Sequence, residues 1–202
     1  MQEAEQTEIT PVQYEPDFPF KYNNFVYRIL LPADPSVGTE DTDEGRDFEK
    51  PPGYVPIPAG TREFILRLSN PEAEGMHQES RVQNEVAILA LASAALHHIK
   101  PIVVPRIFGW GGASHEKLGW ILQELMPGVP LAEDFSETMS LDQKKGILAQ
   151  MAVMLKALQD FPLPESIEGW GGLTFKDSGA IVSAPMTSVG AGPWSSLQDS
   201  YL

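Results

Sequence analysis

The chain has 202 residues, 42% of them hydrophobic and 21% charged, which is enough for one core or for one complete and one partial domain. Its net charge of −14 argues against nucleic acids and anionic membranes as main partners, and the absence of cysteine excludes disulfides, thiolate metal sites and cysteine nucleophiles. No stretch has the roughly 18 apolar residues of a membrane span and no apolar segment follows the N-terminus, so we expect a soluble cytoplasmic protein.

The N-terminal region predicts a tail followed by a hairpin. Residues 1–11 are polar and acidic, which predicts a loose tail. Residues 12–20 predict a first strand, which Pro16 and Pro19 make irregular or confine to a sheet edge. After a turn signal at residues 21–24, alternating side chains over residues 25–31 predict its partner strand.

Residues 32–61 predict a disordered insertion. The stretch is rich in proline and carries an acidic patch over residues 40–49. Such a composition buries too little apolar surface to order itself, so we expect a mobile loop.

Arg67 and Glu85 are the candidate ion pair of the chain. Arg67 lies in an alternating strand predicted at residues 63–69, and Glu85 lies in a helix predicted at residues 78–98. The face of Glu85 is otherwise apolar, and it carries Val82, Ile88, Leu89, Ala92 and Leu96. A carboxylate in such a stripe needs a cation, and the forked guanidinium of Arg67 suits it. The alternative is a solvated glutamate at the stripe edge and a surface arginine.

The later elements alternate between strands and helices. Strands are predicted at residues 103–108 and 118–125, with a glycine-rich turn at 109–112. Ser140 and Gln143 form a capping box that starts a helix running to about Asp160. The Gly-, Ser- and Pro-rich remainder, after residue 164, predicts no strong element.

The residues themselves indicate no reaction. The chain has no Gly-x4-Gly-Lys-Ser/Thr loop, no Gly-x-Gly-x-x-Gly after a strand and no Gly-x-Ser-x-Gly elbow. The spacing of the four histidines suits no zinc site, so we expect them at the surface or at helix ends. The residues therefore predict an α+β domain with one candidate buried ion pair.

Five segments in order resemble the aminoglycoside phosphotransferase family, in particular its fungal members. They are YNNFVYR at 22–28, FILRL at 64–68, NEVA at 84–87, VPRIFG at 104–109 and ILQELMPGVPL at 121–131. The Gly192-Pro193-Trp194 segment adds to the resemblance. It implies a kinase-like small lobe, an antiparallel sheet plus one helix, followed by the first part of a helical large lobe. The implied divisions are an N-terminal tail (1–19), a nucleotide-binding small lobe (20–130) and an incomplete large lobe (131–202).

The resemblance also implies which residues bind ATP. Arg67 takes the position usually held by lysine, and Glu85 is its partner in orienting the phosphates. Asn23 and Asn24 belong to the turn that covers the phosphates. The backbone C=O of Glu124 and N–H of Met126 form the hinge that meets adenine, so the Glu124 side chain is expected only at the surface.

The chain departs from the family pattern in one respect. Members of the family carry a His-x-Asp-x4-Asn catalytic loop and a later metal-binding aspartate, whereas this sequence contains no His-x-Asp. We assign no catalytic or metal-binding residue, since Asp177 and Asp199 are in no such context. We therefore expect a chain truncated before the catalytic loop and inactive alone, with weak or absent ATP binding and Mg²⁺ only in the complete protein.

Three hypotheses follow for function. The first is the front part of an enzyme that phosphorylates a small-molecule hydroxyl with ATP. The second is a non-catalytic nucleotide-binding or regulatory interaction module. The third is a non-functional remnant whose 140–160 helix exposes an apolar patch. The sequence predicts no nucleic-acid or membrane partner, and it indicates neither the acceptor nor the oligomeric state.

Overall fold

The computed structural model describes residues 6–12, 22–32, 51–129 and 131–201. Two predicted segments lie partly outside the described residues: residues 13–20 of the strand predicted at 12–20, and residues 33–50 of the insertion predicted at 32–61. Among the described helices, none is long and apolar enough to cross a membrane.

A five-stranded antiparallel sheet forms the first part of the chain. Its strands are β1 (Glu8–Pro11), β2 (Asn24–Leu30), β3 (Glu63–Ser69), β4 (Ile107–Gly111) and β5 (Trp120–Glu124). Their spatial order is β1-β2-β3-β5-β4. Together with the single long helix on this sheet, the arrangement confirms the predicted α+β class.

The first described strand, β1, lies within the stretch 1–11 that was predicted to be a loose tail. β1 pairs with β2 from Glu8 opposite Leu30 to Pro11 opposite Tyr27, and Val12 N–H donates to Val26 O at 2.8 Å. Ile9 and Thr10 are β-branched, which suits an edge strand, and Pro11 comes at its end. The predicted partner strand at residues 25–31 is confirmed as β2.

Helix α1 (Gln78–Ala95) packs against the sheet through its buried apolar side chains. Val82 and Val86 form a core cluster with Ile107 of β4 and Ile121 of β5. The helix ends at the C-cap Leu96, two residues before the predicted end at His98. All four histidines are exposed, and His77 is the N-cap residue of α1, which confirms their predicted placement.

Residues 51–61 of the predicted insertion make hydrogen bonds to β4, contacts that the expected loop did not include. Val55 N–H donates to Ile107 O at 2.8 Å, and Trp110 Nε1 donates to Pro52 O at 2.8 Å. Gly53 lies against Val86 and Phe175. Backbone hydrogen bonds and a tight turn, which composition does not reveal, order this segment.

The predicted glycine-rich turn at 109–112 is mostly strand. β4 includes Gly109, Trp110 and Gly111, with an irregularity in register between Ile107 and Gly109. The strand predicted at 103–108 begins only at Ile107. A Cβ at Gly111 would collide with the Trp120 ring of β5 and one at Gly109 would lie in tight contact with it, so the glycines permit this close approach.

Two helices follow the sheet, α2 (Ala132–Glu137) and α3 (Leu141–Asp160). The predicted capping box is confirmed: Gln143 N–H donates to Ser140 Oγ, and Ser140 N–H donates to Gln143 Oε1. Met154 and Ala157 of α3 pack against the cluster of Ala95, Leu96 and Val104. No residue of α3 is fully buried. Exposed large apolar side chains of this helix include Leu141, Leu148, Met151, Leu155 and Leu158.

A second hairpin corrects the prediction that the chain has no strong element after residue 164. Its strands are β6 (Gly172–Phe175) and β7 (Ile181–Ala184), and a 3₁₀ helix (Gln198–Tyr201) follows. The hairpin lies on α1, where Asn84 Oδ1 accepts a hydrogen bond from Leu173 N–H at 2.7 Å. Phe175 stacks on Trp110 with ring centroids 5.9 Å apart. The hairpin therefore packs against the helix that carries Glu85.

Candidate functional site

A cavity of about 310 Å³ lies where the start of β2, the middle of β3 and one face of α1 meet. Four of the predicted site residues line it: Asn23, Asn24, Arg67 and Glu85. Thr187, from the chain segment after β7, closes one side, and its carbonyl accepts a hydrogen bond from His77 N–H at 2.6 Å. Elements distant in the sequence thus converge on one cavity.

Arg67 and Glu85 form a salt bridge, which agrees with the candidate pair and not with the alternative of a solvated glutamate and a surface arginine. Arg67 Nη1 donates to Glu85 Oε1, and the two side chains are 24% and 32% exposed. Arg67 lies opposite Ile121 in the sheet, and Ile121 packs against α1, so the β3 register turns Arg67 toward the helix. Partial burial strengthens the pair and fixes the direction of the guanidinium.

Hydrogen bonds hold the Asn23–Asn24 corner at the entrance to β2. Arg81 Nη2 donates to Asn23 O at 2.7 Å and to Asn24 Oδ1 at 3.1 Å. From the other side, Asn70 N–H donates to Asn23 O at 3.0 Å and Asn70 Nδ2 donates to Tyr22 O at 2.7 Å. The corner is therefore ordered by side chains rather than by glycine.

Arg81 is the site residue that the sequence analysis missed. It lies one helical turn before Glu85 on α1 and is only 7% exposed. Burial lowers the pKa of its guanidinium, Glu85 raises it and Arg67 lowers it. The available signal was its spacing from Glu85, which places both side chains on one helix face.

Glu124 and Met126 lie away from this cavity, near the end of β5. Phe64 of β3 lies opposite Glu124, and Arg67 lies opposite Ile121, so the two regions are about 10 Å apart along the strand. The Glu124 side chain is not merely a surface group. It accepts from Arg106 Nη2 at 2.6 Å, from Arg106 Nε at 3.0 Å and from Arg106 N–H at 3.2 Å.

This bidentate pair predicts a pH effect on stability. The hydrogen bond from Arg106 holds the pKa of Glu124 below its usual value near 4.5, although desolvation opposes the shift. Because the folded-state pKa is depressed, the stabilisation is full above the unfolded-state pKa and is lost as the pH falls through the folded-state pKa. Glu124→Gln should therefore flatten the loss of unfolding free energy below about pH 4.5, measured by urea titration.

Arg106→Gln removes the two guanidinium donors, although the backbone N–H of residue 106 remains, and should flatten the same acid limb. A Glu124→Gln variant that loses stability with acid as steeply as the wild type would contradict a stabilising role for the pair.

The chemical capacity of the cavity is anion binding. Within the described ranges no three His, Asp or Glu side chains cluster in a way that could hold a metal ion. Arg67 and Arg81 carry two positive charges against the single negative charge of Glu85, and the rest of the lining includes the amide residues Asn23, Asn24 and Asn84 and apolar residues of α1. Two guanidinium groups beside a cavity suit phosphate oxygens, which they can bind bidentately.

The antiparallel sheet, the helix on it and the strand–helix ion pair define a kinase-like fold. A model of the phosphotransferase enzyme family matches residues 57–188, well over half of the chain. The chain therefore belongs to this family, which confirms the resemblance drawn from the sequence. The family generally uses ATP and Mg²⁺. The match includes Arg67, Arg81 and Glu85, and it begins after Asn23 and Asn24. A search of curated proteins found no match.

Proposed function

We propose that this chain is a nucleotide-binding lobe that holds the phosphates of ATP against Arg67. The observation that carries the proposal is the Arg67–Glu85 salt bridge on the wall of the cavity of about 310 Å³. Glu85 occupies one side of the guanidinium and leaves its other N–H donors for phosphate oxygens. The Asn23–Asn24 corner lies over the same space and supplies amide groups to it.

Adenine then lies at the hinge after β5, against the backbone C=O of Glu124 and N–H of Met126. Along the strand, this hinge lies about 10 Å from the residue opposite Arg67. That distance suits the span from the base of a nucleotide to its phosphates. The Arg106–Glu124 pair braces the start of this hinge. Side chains position the hinge, while backbone groups recognise the base.

The family activity that this lobe serves is ATP-dependent phosphorylation of a small-molecule hydroxyl. Phosphoryl transfer needs a base toward the acceptor and ligands for Mg²⁺. The 202 residues hold no His-x-Asp sequence, so we propose that this chain binds nucleotide without transferring phosphate by itself. An ATP-dependent role requires a compartment that contains ATP, and we propose the cytoplasm.

Calorimetric titration tests the nucleotide assignment. We expect ATP to bind the chain more tightly than adenosine does, because the phosphates add contacts to Arg67. Incubation with ATP should release no phosphate above the protein-free control. Equal affinities for ATP and adenosine, or no binding of either, would contradict the proposal.

A second candidate function is a nucleotide-responsive regulatory module without catalysis. The presence of two arginines, Arg67 and Arg81, at one cavity favours this module. Two guanidinium groups can neutralise phosphates without a metal ion. ATP affinity that is unchanged by removing Mg²⁺ with a chelator supports this module. A strong requirement for Mg²⁺ supports the catalytic lobe instead.

A further inference from the structure

Arg81 is a buried arginine whose hydrogen-bond partners among the described residues are all neutral. Its Nη2 donates to the Asn23 carbonyl and to Asn24 Oδ1, and its Nη1 lies 3.4 Å from Gln78 Oε1. The residue is only 7% exposed. A charge removed from water to this extent normally has a counter-charge in direct contact.

Glu85, one helical turn after Arg81 on α1, is shared with another arginine. Glu85 contacts Arg67 directly, so the two arginines and one glutamate leave one positive charge in excess at the cavity. This excess occurs in a chain whose net charge is −14. A local excess of buried positive charge against such a background indicates an anionic ligand.

The geometry places this charge where a ligand can use it. Arg81, Arg67 and the Asn23–Asn24 corner all border the same cavity of about 310 Å³. Arg81 is anchored to the corner, and Arg67 is anchored to α1 through Glu85. Both guanidinium groups are thereby held in place before a ligand arrives, which lowers the entropic cost of binding.

We infer that Arg81 is the second cation of a polyphosphate site, which also holds the Asn23–Asn24 corner in place over the phosphates. This inference deepens the proposed function and rests on it for the assignment of the phosphates to ATP. Arg81 acts as a positioning residue for the corner and contributes its charge to the cavity. The ligand class is a linear polyphosphate, free or attached to a nucleoside.

The test titrates sodium tripolyphosphate, ATP and adenosine into the wild type, Arg81→Met and Arg81→Gln, without Mg²⁺. Arg62→Met is the matched control, because Arg62 also donates to a backbone carbonyl, that of Leu31, but does not line the cavity. Thermal unfolding of each variant establishes that it is folded. If Arg81→Met does not fold, Arg81→Gln decides, since it keeps an amide donor for the Asn23 carbonyl.

We expect both Arg81 variants to weaken tripolyphosphate and ATP binding by about tenfold or more, with adenosine affinity unchanged. Arg62→Met should bind all three ligands as the wild type does. A folded Arg81 variant with wild-type tripolyphosphate affinity, or a wild type that does not bind tripolyphosphate, would overturn the inference. A third outcome separates the two proposals. If the wild type binds tripolyphosphate through Arg81, binds ATP no more tightly and does not bind adenosine, the inference is upheld and the nucleotide function is contradicted.

Discussion

Glu85→Gln is expected to remove most of the rise in melting temperature that ATP gives the wild type. The substitution keeps the size of the side chain but removes the charge that holds Arg67, so the guanidinium loses its fixed direction. A hydrogen bond between charged groups contributes about 1.5–3 kcal/mol, so ATP affinity should fall by about tenfold or more. Thermal unfolding at several ATP concentrations measures the change, since ligand stabilisation follows the ratio of ligand concentration to Kd.

Glu63→Gln provides a matched control on the same strand. Glu63 pairs with Arg28 at 2.8 Å, outside the cavity lining, so losing that surface pair should leave the ATP effect intact. Arg67→Met should lower ATP affinity at least as much as Glu85→Gln. In a double-mutant cycle the two changes should be less than additive, because they act through one contact. An ATP response in Glu85→Gln equal to that of the wild type would make the salt bridge merely structural.

Gly53→Ala is expected to cause a large loss of stability. Gly53 has a φ of 77°, a conformation that costs an alanine about 1–2 kcal/mol. A Cβ there would also lie 3.0 Å from Val86 Cγ1 and 3.2 Å from Phe175 Cζ, and such overpacking costs about 1–3 kcal/mol more. Urea titration should therefore show a fall in unfolding free energy of about 2–5 kcal/mol.

Gly60→Ala separates the two causes. Gly60 has a φ of 79°, but nothing lies within 4 Å of the added Cβ, so only the conformational cost of about 1–2 kcal/mol applies. Equal losses for the two alanine variants would mean that residues 51–55 do not pack against α1 and the second hairpin. That result would support the prediction, made from composition, that these residues form a mobile loop.

Regular local patterns made much of the fold predictable. Alternation over Glu63–Ser69 predicted β3 at its exact bounds, and helical periodicity placed Arg67 and Glu85 on facing elements. The Ser140 capping box predicted the start of α3, because its two reciprocal hydrogen bonds involve residues close in sequence. The same locality explains why the salt bridge could be inferred: each residue of the pair lies in a strongly patterned element.

Features determined by distant contacts were missed. Gly53 belongs to a proline-rich stretch whose order comes from Val86 and Phe175, and no local pattern reveals those neighbours. The second hairpin was hidden in Gly- and Ser-rich sequence because Leu173 is held by the side chain of Asn84. Arg81 was overlooked because it donates to the backbone carbonyl of Asn23. Every residue has such a carbonyl, so the sequence does not mark this one as a partner.

The most direct test of nucleotide binding is a crystal structure of this chain with a non-hydrolysable ATP analogue. We expect phosphate oxygens within about 3 Å of the Arg67 guanidinium, next to Arg81, and the adenine edge against the backbone of Glu124 and Met126. The Arg67–Glu85 salt bridge should persist in the complex. Nucleotide bound elsewhere, with this cavity holding only solvent, would contradict the assignment of the Arg67–Glu85 site to ATP.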